Sequence, residues 1–208
     1  MTREVAHFFD KLAEKYDQSY QRPVDGAEDR LTSKILRRHI DETTFVLDVG
    51  CGTGLMLELM GDRRPRFYMG TDISEGMLKV ARQRWGTGDN RVRFYKSDMM
   101  NMPHYGDEFD VVICVNAVGC YADDFARLAA NLRSATRGSC IISMPLPRHE
   151  SRDVICKGSP GMYHYTLSHM KESLLNVFSS VNITAYSSPI HDRLPDWALR
   201  YTGVRVPR

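Results

Sequence analysis

Along the middle of the chain, short apolar runs rich in β-branched residues take turns with longer stretches whose apolar residues recur at helical spacing. The runs are Val46–Val49, Phe67–Asp72, Arg91–Tyr95, Phe109–Asn116 and Ser139–Met144. They read as strands, and Val111–Val115 is apolar throughout, as a central parallel strand should be. Between them, helices are marked by Leu55–Met60, then by Met77, Leu78, Val80, Ala81 and Trp85, then by Phe125, Leu128, Ala129 and Leu132. Gly61-Asp62, Gly86–Asn90 and Arg137-Gly138 supply the stops. Such alternation, with no internal repeat, predicts an α/β fold with a doubly wound, mostly parallel sheet.

Ahead of this core, Val5, Phe8, Phe9, Leu12, Ala13 and Tyr16 fall on one face of a helix. A second helix turns Leu31, Ile35, Leu36 and Ile40 inward and Arg30, Lys34, Arg37 and Arg38 outward. Residues 145–162 are polar and broken by Pro145, Pro147, Gly158, Pro160 and Gly161, a length uncommon in a compact domain unless the loop has a function. The tail offers a helix through Leu167, Met170, Leu174, Val177 and Phe178, an alternating strand at Val181, Ile183 and Ala185, and an extended piece over Tyr201–Val206. A chain of 208 residues fits one domain, 1–208, with a well-covered core.

The stretch Val46-Leu47-Asp48-Val49-Gly50-Cys51-Gly52-Thr53-Gly54 passes from strand to helix through three alternate glycines. Glycine is needed where the backbone takes φ > 0 or must approach a ligand closely, and the free N–H groups opening the next helix suit an anion. The dinucleotide fingerprint G-x-G-x-x-G would put its third glycine at position 55, where this chain has Leu55. Here the third glycine comes one residue early, and Asp48 stands two before the first.

This h-h-D-x-G-x-G-x-G form resembles motif I of the class I S-adenosylmethionine-dependent methyltransferases, and Phe9-Asp10-x-x-Ala13-x-x-Tyr16-Asp17 resembles the N-terminal segment of their small-molecule, quinone-biosynthesis-like members. The resemblance implies a Rossmann-like methyltransferase fold, a seven-stranded sheet whose reversed last strand slots between the fifth and sixth. It also implies S-adenosyl-L-methionine as cofactor, with S-adenosyl-L-homocysteine as product. Asp48, Gly50, Cys51, Gly52 and Gly54 would form the loop beside it. Asp72 lies at the distance from Gly50 at which an acid, about 20 residues beyond the first glycine, accepts ribose hydroxyls. The alternative is that Asp72 merely caps the next helix. Ile73 would pack on the adenine face, and in the turn Ser97-Asp98-Met99 the family pattern gives Asp98 the exocyclic amine and Met99 a ring nitrogen. Asn116 falls where the family faces the methionine moiety, and Tyr16 near the same end. Residues 1–40 would be a helical lid, and 145–165 the loop that shapes the acceptor pocket.

A sulfonium cofactor carries the electrophile itself, so the protein's part is positioning and exclusion of water. An oxygen or carbon acid still needs a base. Of seven histidines, His164, between Tyr163 and Tyr165 at the end of the long loop, is the candidate catalytic residue. The five cysteines form no C-x-x-C, and no histidine cluster has metal-ligand spacing, so no metal is expected. Odd, unpaired thiols suggest a reduced, cytoplasmic setting. No window approaches the ~18 apolar residues of a membrane span, and the N-terminus has no apolar leader pattern.

The expected activity is methyl transfer to an O, N or C nucleophile of a small-molecule acceptor. No N-P-P-Y follows the fourth strand and no prolyl-cysteine accompanies Cys120, which argues against DNA base methylation. An RNA methyltransferase is the alternative enzyme, but Arg37, Arg38, Arg63, Arg64, Arg66, Arg82, Arg84, Arg91 and Arg93 are scattered without interleaved aromatics, and the net charge of +2 is neutral on the matter. A module that holds the cofactor without turning it over is the non-enzymatic alternative.

Overall fold

The computed structural model describes residues 2–17, 25–86, 88, 90–117, 121–145, 163, 165–184 and 201–206. The strands are β1 (Phe45–Val49), β2 (Phe67–Asp72), β3 (Val92–Lys96), β4 (Phe109–Val115), β5 (Thr136–Pro145), β6 (Asn182–Thr184) and β7 (Tyr201–Val206). The helices are α1 (Thr2–Leu12), α2 (Asp25–His39), α3 (Leu55–Leu59), α4 (Glu75–Trp85), α5 (Phe125–Ala135) and α6 (Leu167–Leu175). The sheet order is β3-β2-β1-β4-β5-β7-β6. Strands β1 to β5 run parallel, and β7 runs antiparallel to both β5 and β6. This is the doubly wound arrangement that the alternation of strand and helix predicts.

Both faces of the central strands are covered, as parallel strands require. Leu47, Val49, Val112 and Cys114 face one layer, where they meet Phe125, Leu128, Leu132, Met170 and Leu174. Val46, Val111, Ile113 and Val115 face the other, against Leu36, Leu57, Leu78 and Ala81. The order reverses between β1 and β4: from β1 the chain winds outward through β2 to β3, and from β4 it winds the opposite way. In such sheets the crevice at the carboxyl ends of the two diverging strands is the natural ligand site. Here the loops after β1 and β4 nearly touch, since a Cβ on Gly50 would lie 2.4 Å from the Ala117 Cβ.

One boundary differs from the sequence reading. Arg137-Gly138 looked like a helix stop, yet α5 ends at Ala135 and runs into β5 with no connecting loop. Gly138 lies within β5, where an added Cβ would come within 1.8 Å of the Asp110 carbonyl oxygen. The glycine therefore serves a close backbone approach beside the register shift between Phe109 and Val111, while Thr136 turns the chain. Its hydroxyl donates to the Phe109 carbonyl at 3.1 Å and accepts from the Gly138 N–H at 3.0 Å.

The N-terminal helix packs with Val5 and Ala13 buried and with Phe8, Phe9, Leu12 and Tyr16 half-buried. Two carboxylates fix it. Asp10 Oδ1 accepts from the Ser74 hydroxyl at 2.6 Å and from the Gly76 N–H at 2.8 Å. Asp17 accepts from the Thr53 hydroxyl at 2.7 Å and from Arg84 at 2.8 Å. The first ties the helix to the start of α4, the second to the glycine loop and the end of α4.

Candidate functional site

Gly50, Gly52 and Gly54 all take positive φ, at 73°, 54° and 84°. The loop they make is fastened to the next strand: the Gly50 and Cys51 N–H groups both donate to the Thr71 carbonyl, at 2.7 and 2.9 Å. A Cβ on Gly52, which lines the cavity that opens beyond the loop, would meet nothing within 4 Å.

That cavity collects residues from four strand ends and from the N-terminal helix. Gly50 and Gly52 form its floor after β1, and Asp72 and Ile73 follow β2. Ser97, Asp98 and Met99 follow β3, and Asn116 follows β4. Tyr16 closes it from the N-terminal side. These are nine of the residues that the sequence singled out. Asp48, Cys51 and Gly54 are not among its walls. Asp48 is 1 % exposed and accepts a hydrogen bond from the Tyr68 hydroxyl, beneath the loop. Cys51 is buried behind it, and Gly54 stands against Trp85, whose ring would lie 2.7 Å from an added Cβ. His164 lies outside the described residues, as does most of the 145–165 loop. Among the described residues no histidine lines the cavity, and no group of three side chains could hold a metal ion.

The two acids in the cavity are held differently. Asp72 Oδ2 accepts from the Gly52 N–H at 2.9 Å and Oδ1 from the Ser74 N–H at 2.8 Å. It does not cap α4, because Ser74 does so through its own hydroxyl, which accepts from the Met77 N–H. Burial raises the Asp72 carboxyl above its ordinary value, against the pull of N–H groups from Ser74, Gly52 and Ile73. Burial likewise pushes Asp48 up to about 7, opposed by the Tyr68 hydroxyl and reinforced by the Asp72 charge. Asp98 caps the short turn Met99–Asn101, its Oδ1 accepting from the Met100 N–H at 2.9 Å.

Asn116 is one of two non-glycine residues among those described with positive φ, at 57°. Ser143 on β5 holds it there: the Asn116 N–H donates to the Ser143 hydroxyl at 3.2 Å, and that hydroxyl donates to Asn116 Oδ1 at 3.0 Å. A strained residue fixed from behind at a strand end is a common mark of a functional position.

The structure adds walls that the sequence did not single out for the site. Phe9 meets Tyr121 edge-on at 5.3 Å, and both line the cavity with Val5. Asn101, Asp123 and Arg127 form its polar rim. Phe9 carried a signal, since it shares the helix face with Tyr16; Arg127 carried none, being one charged residue on an amphipathic helix. Beyond the loop, the Tyr165 hydroxyl donates to the Ala122 carbonyl at 2.6 Å, which pins the neighbour of His164 one residue from Tyr121.

Comparison with known proteins agrees with this geometry. Residues 46–138 match a family described as a methyltransferase domain. The demethylmenaquinone methyltransferase of Deinococcus radiodurans is 32% identical over 103 residues, covering 49% of this chain and 43% of that one. The chain thus spans less than half the length of that relative. Among solved structures, the cyclase SpnF superposes with a TM-score of 0.73 at 17% identity, covering 100% of this chain and 97% of that one. Magnesium protoporphyrin IX methyltransferase from Synechocystis, solved with bound S-adenosylhomocysteine, gives 0.70 at 18% identity, with 97% and 98% covered. At these identities the likeness is one of fold, the Rossmann-like methyltransferase fold.

Proposed function

We propose that this chain, whose residues 46–138 match a methyltransferase domain family, is an S-adenosylmethionine-dependent methyltransferase acting on a small-molecule acceptor. The observation that carries the reading is the placement of Asp72 and Asp98, at the ends of neighbouring strands, on one cavity floored by Gly50 and Gly52. The chain's residues fit the nucleoside. Main-chain N–H groups on both Asp72 oxygens fix the carboxylate at the cavity, where its remaining acceptor capacity suits ribose hydroxyls. Space that a Cβ at Gly52 would fill stays open for the ligand. Ile73 and Met99 offer apolar faces to the base, and Asn116 and Tyr16 lie toward the methionine end.

The cofactor, when bound, supplies an activated methyl group on sulfonium. This chain's part is to orient it, to exclude water and to present the acceptor. The N-terminal helix acts as the lid, its Phe9 and Tyr16 closing the cavity while Asp10 and Asp17 latch it. Residues 145–165 shape the acceptor side, and His164 removes the proton of an oxygen or carbon acid. The bond from Tyr165 to the carbonyl of Ala122 supports that role, because Ala122 lies between the cavity residues Tyr121 and Asp123. Cys51, Cys114 and Cys140 are buried free thiols, which supports a reducing, cytoplasmic setting. Among the described residues no helix is long and apolar enough to cross a membrane.

Calorimetry with S-adenosylhomocysteine tests the binding half. Asp72→Ala and Asp98→Ala should each weaken affinity by about tenfold or more in a folded protein, since a hydrogen bond to a charged group contributes roughly 1.5–3 kcal/mol. Unchanged affinity in both would overturn the reading. Incubation with methyl-labelled cofactor and fractionated extract tests the other half. Label in the small-molecule fraction supports the assignment, label in RNA replaces the acceptor class, and tight binding without transfer leaves a cofactor-holding module.

A further inference from the structure

The turn that presents Asp98 is gripped from the side by α5, at two positions one helical turn apart. Asn131 donates from Nδ2 to the carbonyls of Met99 and Met100, at 3.0 and 3.2 Å. Arg127 Nη2 donates to Asn101 Oδ1 at 2.7 Å, and Asn101 Nδ2 donates to Asp98 Oδ2 at 2.9 Å. The three side chains thus form a directed relay from helix to cavity, and all three line it.

Direction follows from chemistry. A side-chain amide can present either its oxygen or its nitrogen to a neighbour, and the wrong end would set two acceptors face to face. A guanidinium has only donors, so Arg127 must take the amide oxygen and leaves the NH2 for Asp98. With Met100 N–H on Oδ1 and Asn101 NH2 on Oδ2, both carboxylate oxygens are anchored from within. Their remaining lone pairs then face the cavity in a fixed plane.

We propose that Arg127 and Asn101 are positioning residues for base selectivity: Arg127 sets the Asn101 amide, and the amide sets the Asp98 carboxylate to accept the exocyclic amine of adenine. This rests on the cofactor reading above and goes beyond it by assigning the discrimination between 6-amino and 6-oxo purines to a side chain of α5. Neither residue needs to touch the cofactor for this.

The test compares affinities for S-adenosylhomocysteine and its 6-oxo counterpart, S-inosylhomocysteine, in the whole chain. Wild-type protein should prefer the amino form clearly. Arg127→Met should weaken the amino form by about three- to tenfold, a loosened rather than deleted hydrogen bond, and leave the oxo form unchanged. Arg127→Lys, which keeps a donor, should restore most of the preference. Asn101→Asp, which sets a carboxylate against Asp98, should lower it further than Arg127→Met. Equal weakening of both ligands, no effect in Arg127→Met, or Arg127→Lys as impaired as Arg127→Met would each overturn the relay. Wild-type protein that binds neither ligand, or both alike, would instead sink the cofactor reading, so the two failures are distinguishable. Arg127 is exposed on the helix surface, and melting temperatures confirm that the variants compared are folded.

Discussion

Asp10 accepts a hydrogen bond from the Ser74 hydroxyl at 2.6 Å, so the residue that caps α4 also holds the N-terminal helix. Ser74 in this role joins two functions: its oxygen closes the first turn of α4, which starts beside Asp72, and its hydroxyl hydrogen docks the N-terminal helix. Asp10→Ala should free the helix without unfolding the core. These two bonds at an exposed position are worth on the order of 1–2 kcal/mol. Limited trypsin digestion reports on it, with faster cleavage at Lys11 and Lys15 in the variant expected and an unchanged rate arguing against the latch.

The same carboxylate gives a pH dependence. Burial works to raise the Asp10 carboxyl, but the bonds from Ser74 and Gly76, with the charges of Lys96 and His7, outweigh it and leave it below the ordinary 3.8. A depressed acid contributes docking that is complete above 3.8 and is lost only as pH falls through its lowered value. Amide exchange of residues 2–17 should therefore be as slow at pH 5 as at pH 7, apart from the intrinsic rate. Accelerated exchange already at pH 5 would contradict the latch.

Asp48 has the opposite sign. Burial raises it to about 7, so between 3.8 and about 7 the folded state keeps a proton that the unfolded chain has lost. Stability then falls as pH rises across that window, by up to about 1.4 kcal/mol per pH unit, and levels above it. Asp48→Asn keeps the size and an acceptor for Tyr68 while removing the titration. Urea unfolding at pH 5 and pH 8 should show a smaller difference in the variant than in the parent. Equal differences would mean that Asp48 is ionised in the folded protein.

Gly50→Ala should damage both fold and binding, for two separable reasons. The φ of 73° is strained for any Cβ, at about 1–2 kcal/mol, and that Cβ would lie 2.4 Å from Ala117. Adding Ala117→Gly removes the collision but not the strain. The double variant should recover part of the lost stability in thermal melts, and recovery of all or none would show that one of the two causes is absent.

Tyr165→Phe should lower kcat more than it lowers stability, by removing the bond to the carbonyl of Ala122, which lies between the cavity residues Tyr121 and Asp123. A loss in melting temperature with full kcat would make Tyr165 a packing residue only.

Much of this was legible in the chain because periodicity and glycine spacing are local. The strand ending at Val49, the three glycines and the acids at 72 and 98 are all fixed by sequence distance, and the sheet brings them to one edge. Asp48 misled for a physical reason: both faces of β1 are buried, so alternation along Leu47-Asp48-Val49 cannot show whether its acid points toward a ligand or beneath the loop. Arg127 and Asn101 are 26 residues apart and meet only because α5 crosses the turn after β3. Gly138 reads as a stop in the sequence because a helix end and a backbone crossing ask for the same missing Cβ.

Since α5 passes into β5 without a spacer, Arg127 and Ser143 sit on one unbroken piece of chain. One end of that piece steers Asn101 beside the turn that bears Asp98, and the other braces Asn116, which lines the same cavity. The segment behaves as a caliper with a rigid bar. Lengthening it by a single residue between Ala135 and Thr136 would misset the two jaws relative to each other, although neither jaw had been altered.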